Sequence, residues 1–146
     1  AALFSAPGVP MIYAGQECGE DTPRTVDFLP IDWSKLERPL HRRHWEIVQR
    51  LIRARKNSPA LRGAHIEFLP DNFSETGLVR YRRWDNAGNS ALVALNFGGE
   101  ARRTALPFPD NSCWWEVVTD SRLQVTGDSQ RSLLLPPWQG RVYNLR

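Results

Sequence analysis

The chain has 146 residues, a formal net charge of +3 and a pI near 9.2. Hydrophobic residues at 41% and charged residues at 24% are the proportions of a folded domain and exclude a disordered segment. The length excludes a complete (β/α)8 barrel, which takes about 250 residues, and no apolar run approaches the roughly 18 residues of a membrane helix.

The charge is unevenly spread. Residues 1–37 hold two basic and six acidic groups, residues 38–62 hold eight and one, and residues 63–146 hold nine of each. One short segment therefore supplies the whole basic excess. Nucleic-acid binding is one reading of such a segment. A solvated arginine-lined helix face is the preferred one, because no RNP, zinc-finger or Gly-rich phosphate motif accompanies it. Neither a nucleic acid nor a membrane is expected as partner. Cys18 and Cys113 lie far apart and outside any CxxC pattern, which fits a reducing compartment better than an oxidising one. The chain opens Ala-Ala-Leu-Phe and its only methionine is Met11. It reads as a piece of something longer, and targeting cannot be read from it.

In chain order, Val9–Ala14 is an uncharged apolar run between Pro7-Gly8 and Gly15, the pattern of a parallel strand buried on both faces, with Pro10 at its start. Gln16 to Arg38 is a long loop that holds Glu17, Glu20, Asp21, Asp27, Asp32 and Glu37. Long loops after parallel strands are where active sites gather. Residues 38–57 predict a helix: Pro39 suits its first turn, and Leu40, His44, Ile47, Val48, Leu51 and Ile52 form one apolar stripe. Arg42, Arg43, Arg50, Arg53 and Lys56 lie mostly on the other side, and Asn57-Ser58-Pro59 closes the helix. From His65 the period becomes two. Strands are expected at His65–Leu69, Leu78–Trp84, Ala91–Phe97, Arg102–Leu106, Trp114–Thr119, Ser132–Leu135 and Arg141–Leu145, with a hairpin turn at Asp85-Asn-Ala-Gly-Asn. The fold class expected is mainly β: an antiparallel, Greek-key-like sandwich over residues 63–146, preceded by a strand–loop–helix unit over residues 1–62.

Five segments, in order, carry a resemblance. Pro7, Gly8, Pro10, Tyr13, Gly15, Gln16 and Glu17 follow the spacing Pro-Gly-x-Pro-x-x-Tyr-x-Gly-Gln-Glu. Pro30-Ile-Asp-Trp33, Leu51-Ile-Arg-Ala-Arg-Lys-Asn-Ser-Pro-Ala-Leu-Arg-Gly63, Ala91-Leu-Val-Ala-Leu-Asn-Phe97 and Leu134-Leu-Pro-Pro-Trp-Gln-Gly-Arg-Val-Tyr143 come after it. Together they resemble the end of the catalytic barrel and the C-terminal β-domain of the α-amylase family of glycoside hydrolases. The resemblance implies that residues 1–62 are the last βα unit of a (β/α)8 barrel. It also implies a parent acting on α-glucans or maltooligosaccharides as a retaining hydrolase or transglycosylase.

Such chemistry uses two carboxyl groups, a nucleophile and a proton donor. Glu17 with Glu20, or Asp27 with Asp32, can be paired on paper. The resemblance instead implies that the family's catalytic carboxylates lie on earlier strands, so no catalytic residue is assigned here and this chain alone is expected to be inactive. Gln16 and Glu17 are the substrate-proximal candidates at the barrel mouth. The alternative for Glu17 is holding the turn after Gly15 by accepting backbone N–H bonds. No calcium-type Asp-x-Asp-x-Asp-Gly loop and no His/Cys ligand spacing occurs, so neither a metal nor a cofactor is expected. Six tryptophans raise a second possibility, a carbohydrate-binding sandwich. Trp114 and Trp115 are adjacent on an expected strand, so one faces the core and the other is a candidate surface sugar contact. The unit 1–62 is also expected to self-associate through apolar surface that barrel neighbours would cover.

Overall fold

The computed structural model describes residues 1–23, 30–109, 111–127 and 130–145. A short helix α1 (Ala2–Ser5) is followed by 3₁₀ turns at Gln16–Cys18 and Trp33–Glu37. Next come the long helix α2 (Pro39–Asn57) and the one-turn helix α3 (Pro59–Arg62). The strands are β1 (His65–Phe68), β2 (Leu78–Trp84), β3 (Ser90–Asn96), β4 (Arg102–Pro107), β5 (Ser112–Glu116), β6 (Ser121–Val125), β7 (Gln130–Leu135) and β8 (Gly140–Leu145).

Local chemistry fixes these boundaries. Pro39 opens α2 at a position where its missing N–H costs nothing. The Ser58 hydroxyl caps α3 by accepting from Leu61 N at 3.3 Å. In the β2–β3 hairpin, Asp85 Oδ1 accepts from the N–H groups of Ala87 (3.0 Å) and Asn89 (2.9 Å), which sets the register Leu78↔Asn96 through Trp84↔Ser90.

The strands form a six-stranded antiparallel sheet in the order β1-β2-β3-β8-β5-β6 and a two-stranded ribbon, β4-β7. The ribbon covers one face of the sheet through Leu78, Leu92, Leu106, Phe108, Trp114, Val125 and Leu135. Phe108 sits edge-on to both Trp114 and Tyr143, with centroids 5.4 and 5.0 Å apart. The other face carries the helices: Phe4, Val48, Leu51, Ala54, Ala60 and Leu61 pack on Tyr81, Val93, Leu95, Val117 and Val142. The result is three layers, with the sheet between the helices and the ribbon.

The expected strand at Val9–Ala14 does not form. Residues 9–13 take no regular secondary structure, and Val9 and Met11 are 95% and 84% exposed. A parallel strand needs ladder partners beside it. Among the described residues every ladder is antiparallel and lies between His65 and Leu145. The stripe on α2 is also shifted from its expected position. Leu40 and His44 are exposed, while Val48, Leu51 and Ala54 are buried against the sheet, so this chain itself covers much of the surface expected to be left open.

Strand β6 was absent from the sequence expectation, which extended the preceding strand to Thr119. The buried carboxylate of Glu116 ends that strand earlier. It accepts from Val118 N (3.0 Å) and Thr119 N (2.7 Å), and Asp120 turns with φ 57°. The chain then reverses into β6.

Candidate functional site around Gln16 and Glu17

Gly15 begins this corner in a left-handed conformation, φ 95°, which favours glycine. The Glu17 carboxylate folds back to accept from Gly15 N at 2.8 Å, and Gln16 Oε1 accepts from Tyr13 N at 2.8 Å. Helix α2 then locks the turn from behind. His44 Nε2 donates to Gln16 O at 2.8 Å, and His41 Nδ1 donates to Cys18 O at 2.9 Å. One oxygen of Glu17 and the amide nitrogen of Gln16 remain without a hydrogen bond among the described residues.

Lys35 closes the loop beyond. Its buried ammonium donates to Glu20 and Asp21, and to Thr22 Oγ1 at 3.0 Å. Glu20 also accepts from Thr22 N (2.9 Å) and Asp32 N (3.3 Å). The Lys35 hydrogen bonds hold the Glu20 and Asp21 carboxyls below their ordinary range and push the Lys35 ammonium up. Burial, with Glu17 and Glu20 nearby, pushes the Cys18 thiol up. Asp32 caps its 3₁₀ turn by accepting from Ser34 N at 3.1 Å. Trp33 meets Trp45 of α2 edge-on at 6.1 Å.

Glu17, Glu20, Asp21 and Asp32 are thus engaged in building the loop. Glu20 is ion-paired, Asp32 is a cap, and Glu17 holds a turn. Asp27 lies outside the described residues. Of the two tryptophans on β5, Trp114 is 0% exposed, with its Nε1 donating to Ser112 Oγ at 2.7 Å. That burial removes Trp114 as a surface sugar contact, because its ring is enclosed between sheet and ribbon. Trp115 is half-buried on the helix-facing side, packs against that core, and donates to Asp120 Oδ1 at 2.8 Å. The tryptophan that stands out is Trp138, 72% exposed with φ 58°. It rims a groove of about 830 Å³ that Leu40, Arg43, Ile47, Thr119 and Arg141 also line.

A second constellation went unseen in the sequence. Arg83, on β2, is fully buried, and Arg55, on α2, nearly so. Arg55 donates to the carbonyls of Phe4 (2.9 Å), Ala6 (2.8 Å) and Gly8. Arg83 donates to those of Ser5 (3.0 Å), Ala6 (3.0 Å), Leu61 (2.6 Å) and Gly63. No carboxylate among the described residues pairs with either. Burial lowers both guanidinium pKa values, and the proximity of Arg55 lowers that of Arg83 further. The available signal was the strand period: Arg83 shares a strand face with Tyr81, opposite to Arg82.

Known proteins share both the sequence and the fold. The 1,4-alpha-glucan branching enzyme GlgB of Leifsonia xyli subsp. xyli is 29% identical over 138 residues, 88% of this chain and 18% of that protein. The alpha-amylase MalA of Haloarcula japonica is 33% identical over 111 residues, 73% of this chain and 15% of that protein. The chain is related to the C-terminal part of the α-amylase family. No family model matches it. Solved structures agree on the fold. An Anoxybacillus alpha-amylase superposes over 98% of this chain and 30% of its own, with TM-score 0.68 and 21% identity. The alpha-amylase of Geobacillus thermoleovorans, complexed with acarbose, does so over 99% and 31%, with TM-score 0.68 and 23% identity. The chain therefore spans less than a third of the length of each of these relatives.

Proposed function

We propose that this chain is the structural C-terminal part of an α-glucan-active retaining glycoside hydrolase or transglycosylase, with residues 1–62 completing the catalytic barrel and residues 63–146 forming the β-domain that covers it. The match of 88% and 73% of the chain to two α-glucan enzymes carries this reading. The commitment of Glu17, Glu20 and Asp32 to local backbone and lysine contacts supports it, since a nucleophile or acid must be free to reach substrate. In this reading the catalytic carboxylates come from elsewhere in the parent. Gln16 and Glu17 lie near the glucan at the barrel mouth, where they shape the loop beside it rather than react with it.

The test is product analysis on the full-length enzyme with maltodextrin. Products that keep the α-anomeric configuration in NMR support the reading, and inverted products overturn it. Growth of longer chains without new reducing ends identifies transfer, and new reducing ends identify hydrolysis.

A second reading, a carbohydrate-binding β-module, draws support from Trp138, whose exposed ring beside a polar-rimmed groove suits stacking on a sugar face. Starch retention that disappears in Trp138→Ala would favour it.

A further inference from the structure

We propose that Arg83 of the β-sheet is a positioning residue for the segment that leads to Gln16 and Glu17, acting with Arg55 as a two-armed clamp on the backbone of Phe4–Gly8. The inference rests on the α-glucan enzyme reading above, and it gives the β-domain a task beyond cover.

Three observations carry it. First, the two guanidiniums come from different layers, yet they converge on four carbonyls within the five-residue stretch 4–8. The Ala6 carbonyl accepts from both, at 2.8 Å from Arg55 and 3.0 Å from Arg83. Second, neither has a carboxylate partner among the described residues, so the terminal nitrogens of these buried cations are held by carbonyl oxygens at defined positions, while Arg83 Nε has no hydrogen-bond partner among the described residues. A buried charge is tolerated only while its hydrogen bonds are in place, so any slip of the segment uncovers an unpaired guanidinium. Third, Arg83 holds both ends of the joint. The same Nη1 that reaches Ser5 and Ala6 also reaches Leu61 O, at the end of the helical unit. Gly8, the last carbonyl held by Arg55, has φ 91° and directly precedes the run into Gln16. The clamp therefore fixes where that run departs from the core.

Lysine keeps the charge but cannot span several carbonyls with a planar fork. Methionine keeps most of the volume and removes every donor. The expected result in the full-length enzyme is a loss of about ten- to a hundredfold in kcat on maltodextrin for Arg83→Met, measured well below its melting temperature where all molecules are folded. Arg83→Lys should recover only part of it. Arg55→Met should reproduce the loss, and the double variant should lose less than the product of the two, because both arms hold one segment. In parallel, hydrogen exchange of the amides of Phe4, Ser5, Ala6 and Gly8 should accelerate in Arg83→Met while β3 and β8 stay protected. Wild-type kcat retained by folded Arg83→Met, or unchanged exchange at residues 4–8, overturns the clamp. A wild-type enzyme inert toward maltodextrin overturns the underlying functional reading instead, which separates the two failures.

Discussion

The hydroxyls of Ser5 and Tyr81 meet at 2.7 Å, joining the short first helix to the central sheet across 76 positions of sequence. Burial pushes the Tyr81 phenol up, so it stays protonated through the ordinary pH range. Removing it alone, in Tyr81→Phe, should cost about 1 kcal/mol of unfolding free energy in urea titration. Ser5→Ala in the same background should cost less than it does in the wild type. Strict additivity would mean that the bond contributes nothing.

Trp114 fills the space between sheet and ribbon, where it touches Phe108 and anchors its own N–H. Trp114→Ala should destabilise the fold by about 3–5 kcal/mol. Trp115→Ala, at a half-buried position, should cost clearly less. Equal losses in thermal unfolding would contradict the burial of Trp114.

The Lys35 cluster makes the loop acid-sensitive. Glu20 and Asp21 are held below their ordinary values of 4.5 and 3.8, so their contribution is fully present above those values. It is lost as pH falls below them, toward the depressed folded-state values. Lys35 is shifted upward, so its share persists below 10.5 and is lost above it. Limited proteolysis across the loop should therefore be slow at neutral pH and accelerate below about pH 4. Glu20→Gln should be cut quickly already at neutral pH, and a variant as resistant as wild type would rule the cluster out as the loop's fastener.

The sandwich was legible because its strands alternate. The β2 boundaries were read correctly at both ends, since Leu78–Trp84 alternates between the ribbon side, with Leu78, and the helix side, with Tyr81, and ends at Asp85, a turn residue. Helix α2 was legible from Pro39 and from Ser58-Pro59. What failed depended on partners or on single side chains. Val9–Ala14 has strand composition, but strand geometry is conferred by neighbouring strands, and none of the described ones lies beside it. Strand β6 was missed because the buried Glu116 carboxylate, not a Gly or Pro, makes the turn before it. At the site, the Gly15–Glu17 turn was foreseen as an alternative role for Glu17. The Arg55–Arg83 convergence was not, since carbonyl acceptors leave no mark in a sequence.

Exposed apolar side chains at Val9 and Met11 make self-association an expected property of this chain in isolation. Light scattering should show mass rising with concentration, and a double Val9→Ser, Met11→Ser variant should shift it toward the monomer. A wild-type chain that stays monomeric at high concentration would contradict this expectation.

The central claim is that this chain supports α-glucan chemistry without performing it. Purified chain incubated with maltodextrin, with reducing ends and chain lengths followed over time, addresses it most directly, with the full-length enzyme as the positive control. The account predicts no turnover by the chain and clear turnover by the enzyme. Turnover by a clean preparation of the chain alone would contradict it.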